Sequence, residues 1–285
     1  MLNKLDKYYT KREVAEKCVA FLQEHNISLN SCVEPSAGDG SFLDFLPPDT
    51  IAYDIAPERQ DIEQQDFFSV SSLPSSCLVI GNPPFGKRSD TAIRFFNHSA
   101  ELGAETIAFV LPVSFMKWGV QKLLAEQYNL LDYFFLEENS FLNNGKDFNV
   151  RCVFQIWTKL PCKNLRILKA PPTKHPDFEL WQYNATAAAK SYVYQPWEYA
   201  VFRQGYKDYH HLFTRIDFDE VENIIQNTNI QMFLMKPNTK EAKNFIQQAD
   251  FENLAMRNTS TPGFGKADFI SYYLEWKEHI NEPTT

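Results

Sequence analysis

The sequence predicts an α/β fold whose first part forms a mostly parallel sheet and whose second part is a smaller α+β region. Strand and helix patterns alternate along residues 1–160, as they do when helices connect parallel strands. The alternation stops near Leu160, where prolines become frequent. With 44% hydrophobic residues among 285, the chain can bury a large core and is not globally disordered.

The elements up to residue 81 follow from hydrophobic periodicity and from the residues that end each run. Val14, Cys18 and Leu22 fall on one face of the first helix, and Pro47 ends the second helical segment. The strands are short apolar runs bounded by turn residues. In chain order, we predict a helix over 11–25, a strand at 31–34, a helical segment over 41–46, and strands at 51–54 and 78–81.

The elements from residue 90 onward continue the alternation. Ile93, Phe96 and Ala100 lie near one face of a helix. In chain order, we predict a helix over 90–102, a strand at 106–111, a helix around 116–127, and strands at 130–136 and 150–157. Strands that alternate with helices in this way imply right-handed crossovers in a mostly parallel sheet.

A domain boundary is predicted after Leu160. Prolines recur from Pro161 to Pro176 in a lysine-rich stretch that resembles a linker or an extended arm. Residues 165–285 are rich in aromatic and amide side chains without a clear period, so we predict an irregular α+β region there. The Gly-Phe-Gly-Lys loop at 263–266 is basic and could contact a phosphate, although a simple turn is the favoured interpretation.

Composition indicates an intracellular, cytoplasmic protein without a membrane span. The five cysteines are scattered and lack Cys-x-x-Cys spacing, which predicts reduced thiols and no structural zinc site. The first seven residues lack the apolar core of a signal peptide. The net charge of −8 argues against a general nucleic-acid coat, but a local basic groove can still bind a polyanion.

The tetrapeptide Asn82-Pro83-Pro84-Phe85 follows the apolar run that ends at Gly81. Two consecutive prolines cannot extend a central strand, because each lacks an N–H and has a fixed φ. The tetrapeptide therefore forms a rigid lip at the carboxyl end of a strand, where ligands bind in open α/β sheets. Its amide, its prolyl carbonyls and its aromatic face suit a planar substrate that carries an amino group.

A second candidate site is the loop 34–40, Glu-Pro-Ser-Ala-Gly-Asp-Gly, between a strand and a helical segment. Its glycines permit close approach of the backbone to a ligand, and its acidic residues suit a cationic one; a plain βα turn is the competing interpretation. Asp54 ends the next strand, where a carboxylate commonly holds ribose hydroxyls or caps a helix. Asp66-Phe67 could grip an adenine ring, although Asp66 alone is a common turn residue.

These segments, in this order, resemble the motifs of S-adenosylmethionine-dependent N6-adenine DNA methyltransferases of the gamma arrangement. The segment at 8–10 resembles the N-terminal cofactor-binding segment of this family, with Lys11 where the family usually has proline. The resemblance covers about residues 8–158. It implies a Rossmann-like class I methyltransferase sheet with one antiparallel strand near its end. Residues 1–160 would then be the S-adenosylmethionine-binding catalytic domain, and 161–285 a linker and target-recognition region.

The resemblance also implies roles for individual residues. Those expected to bind S-adenosylmethionine are Tyr9, Thr10, Glu34, Pro35, Ala37, Gly38, Gly40, Asp54, Asp66 and Phe67. Those expected to form the catalytic lip are Asn82, Pro83, Pro84 and Phe85. Asn82 and the Pro83 carbonyl would accept the two N6–H bonds of a target adenine that has been flipped out of its helix. Phe85 would stack on one face of the base and Phe141, or its rival Phe148, on the other; core packing is the competing interpretation for Phe141 and Phe148.

The expected activity is therefore transfer of a methyl group to adenine N6 in DNA, as in restriction–modification systems. RNA is an alternative substrate, and a protein glutamine is a further one, since a side-chain amide also fits the lip. A fourth interpretation is a catalytically silent binding subunit, against which Asn82 and the glycines at 38 and 40 argue. The expected partner is nucleic acid, and no metal is expected.

Overall fold

The computed structural model describes residues 8–204, 208–257 and 261–281. The chain divides into two compact units, Met1–Leu168 and Lys169–Thr285. The first seven residues, on which the signal-peptide expectation rests, lie outside the described part. None of the described helices is long and apolar enough to cross a membrane.

The first unit contains ten strands and three helices within its described residues. Its strands are β1 (Tyr9–Thr10), β2 (Cys32–Glu34), β3 (Ile51–Asp54), β4 (Glu63–Gln64), β5 (Leu78–Gly81), β6 (Thr106–Pro112), β7 (Asn129–Phe135), β8 (Phe141–Asn143), β9 (Lys146–Phe148) and β10 (Cys152–Thr158). Its helices are α1 (Arg12–Glu24), α2 (Asp90–Glu101) and α3 (Trp118–Gln121). Short 3₁₀ turns at Leu43–Phe45, Phe67–Ser69, Lys87–Ser89 and Val113–Met116 complete it.

Seven of these strands form one sheet in the order β4-β3-β2-β5-β6-β10-β7. The pairs among β4, β3, β2, β5 and β6 are parallel. Strand β10 is antiparallel to both β6 and β7. The predicted mostly parallel, Rossmann-like sheet with one antiparallel strand near its end is therefore present in the structure.

Side chains alternate between two hydrophobic cores, one on each face of this sheet, because successive residues of a strand point to opposite sides. Val79, Ile107 and Phe109 belong to the core that contains residues of α2. Leu78 and Ala108 belong to the core that contains residues of α1. The sheet is buried on both faces, which explains why its central strands read as continuous apolar runs.

Strand β1 begins a separate three-stranded sheet of order β1-β8-β9. Tyr9 pairs with Leu142, and Thr10 pairs with Phe141. The Lys11 N–H donates to the Ser140 carbonyl at 3.0 Å. This small sheet, which the sequence analysis did not predict, fixes the segment before α1.

Two predicted helices are shorter than expected. The segment 41–46 forms only the 3₁₀ turn Leu43–Phe45, because the residue before a proline disfavours helical backbone and Pro47 follows at once. The segment 116–127 retains only α3, and it contains Gly119, a poor helix former.

The Arg166 side chain binds carbonyl groups at the C-terminal end of α3 and in the residues that follow it. Its guanidinium donates to the carbonyls of Gln121, Leu124, Ala125 and Tyr128 at 2.8 to 3.0 Å. The Leu165 N–H also donates to the Leu130 carbonyl at 2.8 Å. Residues just after 160, predicted to begin a linker, thus pack on the first unit.

The second unit is built around a four-stranded antiparallel sheet. Its strands are β11 (Phe178–Tyr183), β12 (Tyr199–Gln204), β13 (Phe213–Thr214) and β14 (Gln231–Pro237), in the order β11-β14-β12-β13. Its helices are α4 (Phe218–Asn227), α5 (Lys240–Gln248), α6 (Phe251–Met256) and α7 (Lys266–Asn281), and 3₁₀ turns lie at Ala187–Tyr194 and Arg215–Asp217. The α+β class is as predicted, but the prediction of an irregular region is wrong.

The sequence pattern did not reveal the regular sheet of the second unit, because both faces of that sheet are apolar. Phe233 and Met235 face a core with α5, α6 and α7. Met232 and Leu234 face a core with α4. A strand buried on both sides shows no alternation of polar and apolar residues, so its period cannot be read from the sequence.

Candidate active site

The ends of two neighbouring strands form the centre of the candidate site. Strands β2 and β5 pair in parallel, with Cys32 opposite Leu78 and Val33 opposite Val79. Their carboxyl ends therefore lie at the same edge of the sheet, which brings the 34–40 loop beside the lip at 82–85. Gly81 marks the contact, since a Cβ there would lie 3.2 Å from the Glu34 Cγ.

Asn82 presents an unpaired acceptor. Its Nδ2 donates to the Thr10 Oγ1 at 3.1 Å, and its backbone carbonyl accepts from the Ser36 Oγ at 3.2 Å. Its Oδ1 is buried and has no hydrogen-bond partner among the described residues. A buried unpaired acceptor costs free energy, so the fold holds the amide ready for an external donor. Thr10, predicted to contact the cofactor, is in the structure the residue that orients Asn82.

The 34–40 loop is organised by Asp54. One carboxylate oxygen of Asp54 accepts from the Gly38 N–H at 2.9 Å and the other from the Ala56 N–H at 2.8 Å. Gly38 has φ +55°, and a Cβ there would lie 3.1 Å from the Tyr9 ring. Glycine is required on both counts: the backbone is left-handed and an aromatic ring covers it. Asp54 thus shapes the loop, with one N–H donor on each oxygen.

Arg59 supports the same loop, and the sequence analysis did not identify it. Its guanidinium donates to the Gly40 carbonyl at 3.1 Å and to the Asp44 carboxylate at 2.8 Å. A Cβ on Gly40 would lie 2.6 Å from the Arg59 side chain. The arginine therefore closes the outer side of the turn. No local motif marks this role, because Arg59 lies in a connecting segment.

Glu34 is a buried acid at the floor of the loop. It is 2% exposed, and its Oε2 has no hydrogen-bond partner among the described residues. Burial, followed by the charges of Asp39 and Asp54, raises its pKa well above the usual value. A carboxyl group in this position gains from a nearby cation, because an opposite charge offsets the cost of burying the carboxylate.

The Asn82–Phe85 lip is followed by a short segment of strained backbone. Pro83 is buried, Pro84 is exposed and Phe85 is half-buried. Beyond Gly86, both Arg88 (φ +56°) and Ser89 (φ +65°) adopt a left-handed backbone conformation. Non-glycine residues in this region store strain and cluster at functional sites.

The predicted stacking rings differ in their burial. Phe141 is 1% exposed and belongs to the core beside α1, so its burial favours core packing over base stacking. Phe148 is half-buried and stacks on Tyr8, with ring centroids 4.6 Å apart. Phe148 and Tyr8 are therefore the better candidates for a contact with a planar ligand.

Asp66 and Phe67 serve the fold locally. The Asp66 side chain caps a 3₁₀ turn by accepting from the Phe68 N–H at 3.0 Å. Phe67 is 1% exposed, stacks on Phe95 at 5.4 Å and meets His98 edge-on at 5.0 Å. Its ring belongs to the core, whereas the Asp66 side chain lies at the surface.

The described residues include no cluster of three or more histidine, cysteine or acidic side chains that could hold a metal ion. The site thus consists of a glycine loop, a buried acid and an oriented amide with a free acceptor. Such a site can hold a cationic ligand beside a group that donates hydrogen bonds.

No family model matches the chain, and no curated protein matches it. Among solved structures, it is similar to a proposed RNA methyltransferase from Pyrococcus horikoshii, with 14% identity over 55% of this chain and 88% of the other and a TM-score of 0.42. It is also similar to the modification subunit of a proposed type I restriction enzyme from Vibrio vulnificus, with 14% identity, 94% and 60% coverage and a TM-score of 0.43. A third is the type IIL restriction-modification enzyme MmeI in complex with DNA, with 10% identity, 96% and 68% coverage and a TM-score of 0.45. Similarities this weak assign no activity to this chain.

Proposed function

We propose that this chain is an S-adenosylmethionine-dependent methyltransferase that acts on the exocyclic amine of adenine in DNA. The observation that carries the proposal is the Asn82 amide. Thr10 fixes its nitrogen, and its Oδ1 is buried without a partner among the described residues. The motif order that resembles the adenine methyltransferases of the gamma arrangement supports the choice of adenine.

The lip prepares an amine for reaction. An exocyclic amine is a poor nucleophile, because its lone pair is delocalised into the ring. In the proposed complex, the Asn82 Oδ1 and the Pro83 carbonyl accept its two N–H bonds, which favours a pyramidal nitrogen with a localised lone pair. These acceptors are already in position before the reaction. Their hydrogen bonds to the amine therefore become stronger as positive charge develops on the nitrogen. The nitrogen gains a methyl group and loses one proton, which passes to solvent.

The 34–40 loop fits S-adenosylmethionine, a cation that supplies an electrophilic methyl group when bound. Glu34, whose buried Oε2 has no hydrogen-bond partner among the described residues, would face its positive charge. Gly38 and Gly40 let the loop backbone pass close to the Tyr9 ring and the Arg59 side chain, and Pro35 and Ala37 complete the loop. Tyr9, which lies over Gly38, would cover the ligand. In this proposal Asp54 contacts the ribose, and Asp66 contacts the adenine of the cofactor.

The aromatic groups near the lip would hold the target base. Phe85 would stack on one face, and Phe148 with Tyr8 would form the other wall. A base in a duplex must leave the helix to reach such a site. The proposal therefore includes base flipping, and the first unit carries the chemistry.

A methyl-transfer assay tests the proposal. The full chain is incubated with radiolabelled S-adenosylmethionine and with duplex DNA, single-stranded DNA, RNA or a protein mixture, and the labelled product is digested to nucleosides. We expect the label in N6-methyl-2′-deoxyadenosine from DNA. Label in RNA or in protein glutamine would show that the substrate is one of these alternatives and not DNA. Cofactor binding without any transfer would favour a silent binding subunit.

A further inference from the structure

The second unit contains a groove that the proposed chemistry does not use. It has a volume of about 490 Å³, and its walls come from residues 173–176, the first part of β11 and Lys266. Strand β11 is at the edge of its sheet, so one wall of the groove is an edge strand. The groove also includes the end of the basic loop at 263–266.

Two lysines, Lys174 and Lys266, line the groove. The ion pairs formed within the described part of the chain include neither Lys174 nor Lys266. The acid that lines the groove, Glu179, is already paired with Lys236 at 2.6 Å. Partial burial, and then the charge of Lys174, lower the pKa of Lys266. The two ammonium groups thus repel each other, and a bound anion would relieve that repulsion.

A backbone hydrogen bond fixes the position of Lys266. It is the first residue of α7, and its N–H donates to the Gln182 Oε1 at 3.2 Å. The preceding residues are equally fixed, because Phe264 is 2% exposed and the Gly265 N–H donates to Asp268 at 2.9 Å. The loop is therefore an ordered start of a helix, whose N-terminus adds positive potential.

An aromatic side chain completes the groove. Trp181 is half-buried and packs on one side against the core beside α4. It also lines the groove, together with Leu180 and Phe178. Cations combined with an aromatic face are what proteins use to hold a nucleic-acid strand, since phosphates pair with the cations and bases stack on the ring.

We propose that this groove binds the phosphodiester chain of the nucleic-acid substrate, with Lys174 and Lys266 on phosphates and Trp181 against a base or sugar. The proposal rests on the proposed function, because it names where the substrate strand is held outside the catalytic lip. A peptide strand added to the edge of β11 is a different occupant. The two groove lysines, which form no ion pair with any residue that the structure describes, favour the polyanion.

The test measures binding of labelled oligonucleotides by fluorescence anisotropy. Single-stranded DNA, duplex DNA and RNA of one sequence are titrated with the full chain and with Lys174→Gln, Lys266→Gln and Trp181→Leu. Lys243→Gln, an exposed lysine on α5, is the matched control. We expect each groove lysine variant to weaken binding roughly tenfold and to reduce the salt slope of log K by about 0.7 to 0.9. Trp181→Leu should weaken binding roughly tenfold with little change in slope.

Several results would overturn the proposal. Unchanged affinity in both lysine variants, or equal loss in Lys243→Gln, would remove the groove from the binding surface. Preference for an acidic peptide over every oligonucleotide would assign the groove to another partner. Thermal melts identify any variant that fails to fold, and Lys174→Gln, at an exposed position, keeps the test decisive if Trp181→Leu unfolds.

The two proposals fail separately. If no nucleic acid is methylated but the groove variants still lose oligonucleotide affinity, the groove stands and the methylation proposal falls. If DNA is methylated and the groove variants bind and turn over normally, the groove proposal alone falls.

Discussion

At the scale of single residues, the candidate site is defined by two polar groups that the fold leaves unsatisfied. The Asn82 Oδ1 and the Glu34 Oε2 are both buried without a partner among the described residues. Native proteins rarely leave such atoms unpaired, because each costs about 1–3 kcal/mol. Both lie at the carboxyl edge of the sheet, where a bound ligand would satisfy them.

Asn82→Ala should abolish turnover while preserving cofactor binding. The variant removes the acceptor for the amine, so we expect kcat to fall by about 100-fold or more. The dissociation constant for S-adenosylmethionine, measured by calorimetry, should change little. Asn30→Ala, at an exposed position before β2, is the control. Substantial retained turnover would exclude the role of Asn82.

Thr10→Val should reduce kcat without weakening cofactor binding. Valine has the same shape but cannot accept the 3.1 Å hydrogen bond from the Asn82 Nδ2, so the amide loses its fixed orientation. A loss of about tenfold is expected from one hydrogen bond. Thr10→Ser, which keeps the hydroxyl, should recover most of the activity. If serine and valine behave alike, Thr10 has only a packing role.

Glu34→Gln should stabilise the ligand-free protein and weaken its affinity for the cofactor. The folded pKa of Glu34 is raised, so the native state holds this proton more tightly than the unfolded state does. Its contribution to stability is therefore lost as pH rises from the ordinary glutamate pKa toward the raised value. At neutral pH, Glu34→Gln removes the loss of stability that the buried carboxyl group causes, and thermal melts should show a higher Tm.

The same variant changes the pH dependence of cofactor binding. A cation binds the ionised form of Glu34, so affinity in the wild type should increase as pH rises through the raised pKa. In Glu34→Gln this dependence should disappear. Equal pH profiles for both proteins would show that Glu34 does not face the ligand.

At the scale of elements, the glycine loop is shaped by contacts from three segments that are distant in sequence. Tyr9 of β1 covers Gly38, Asp54 of β3 accepts its N–H, and Arg59 closes the turn at Gly40. Hydrophobic periodicity located the strands on either side of the loop. It could not reveal these contacts, because each depends on how separate elements meet.

Gly38→Ala tests the loop as a unit. A left-handed backbone costs a non-glycine residue about 1 kcal/mol or more, and the new Cβ would press on the Tyr9 ring. We expect a lower Tm and weaker cofactor binding. Adding Tyr9→Ala should recover the steric part of the loss in Tm but not the backbone part. Full additivity of the two changes would show that the ring and the glycine are not coupled.

At the scale of the whole molecule, two three-layer units are joined near residue 168. Each has its own pair of cores on the two faces of its own sheet. The first unit extends past residue 160 because Arg166 binds four carbonyls at and just after the C-terminal end of α3. The candidate chemistry lies in the first unit and the basic groove in the second.

Fragments of different length test this boundary. A fragment of residues 1–168 should melt cooperatively and bind S-adenosylmethionine as the full chain does. A fragment of residues 1–160 should be less stable by about 2 kcal/mol or more, because four carbonyl groups lose a charged donor. Arg166→Met within the longer fragment should reproduce most of that loss. Equal denaturation midpoints for all three would contradict the assignment.

The sequence by itself determined the central strands of the first unit and its helices α1 and α2, and it placed the two candidate segments at strand ends. Consecutive prolines end a strand whatever surrounds them, glycines mark left-handed turns, and parallel strands place their ends at one edge. These are local constraints, and they located the lip and the loop correctly at adjacent strand ends.

The tertiary structure decided which side chains meet. Thr10 and Asn82 are 72 positions apart, and their hydrogen bond exists only because the small β1-β8-β9 sheet places one beside the other. Phe67 and Phe141 are predicted ligand contacts, and the structure places both rings in hydrophobic cores, which the sequence could not reveal because burial depends on packing from distant elements. The α+β class of the second unit was predicted but its regular sheet was not, since a sheet covered on both faces leaves no polar period in its strands.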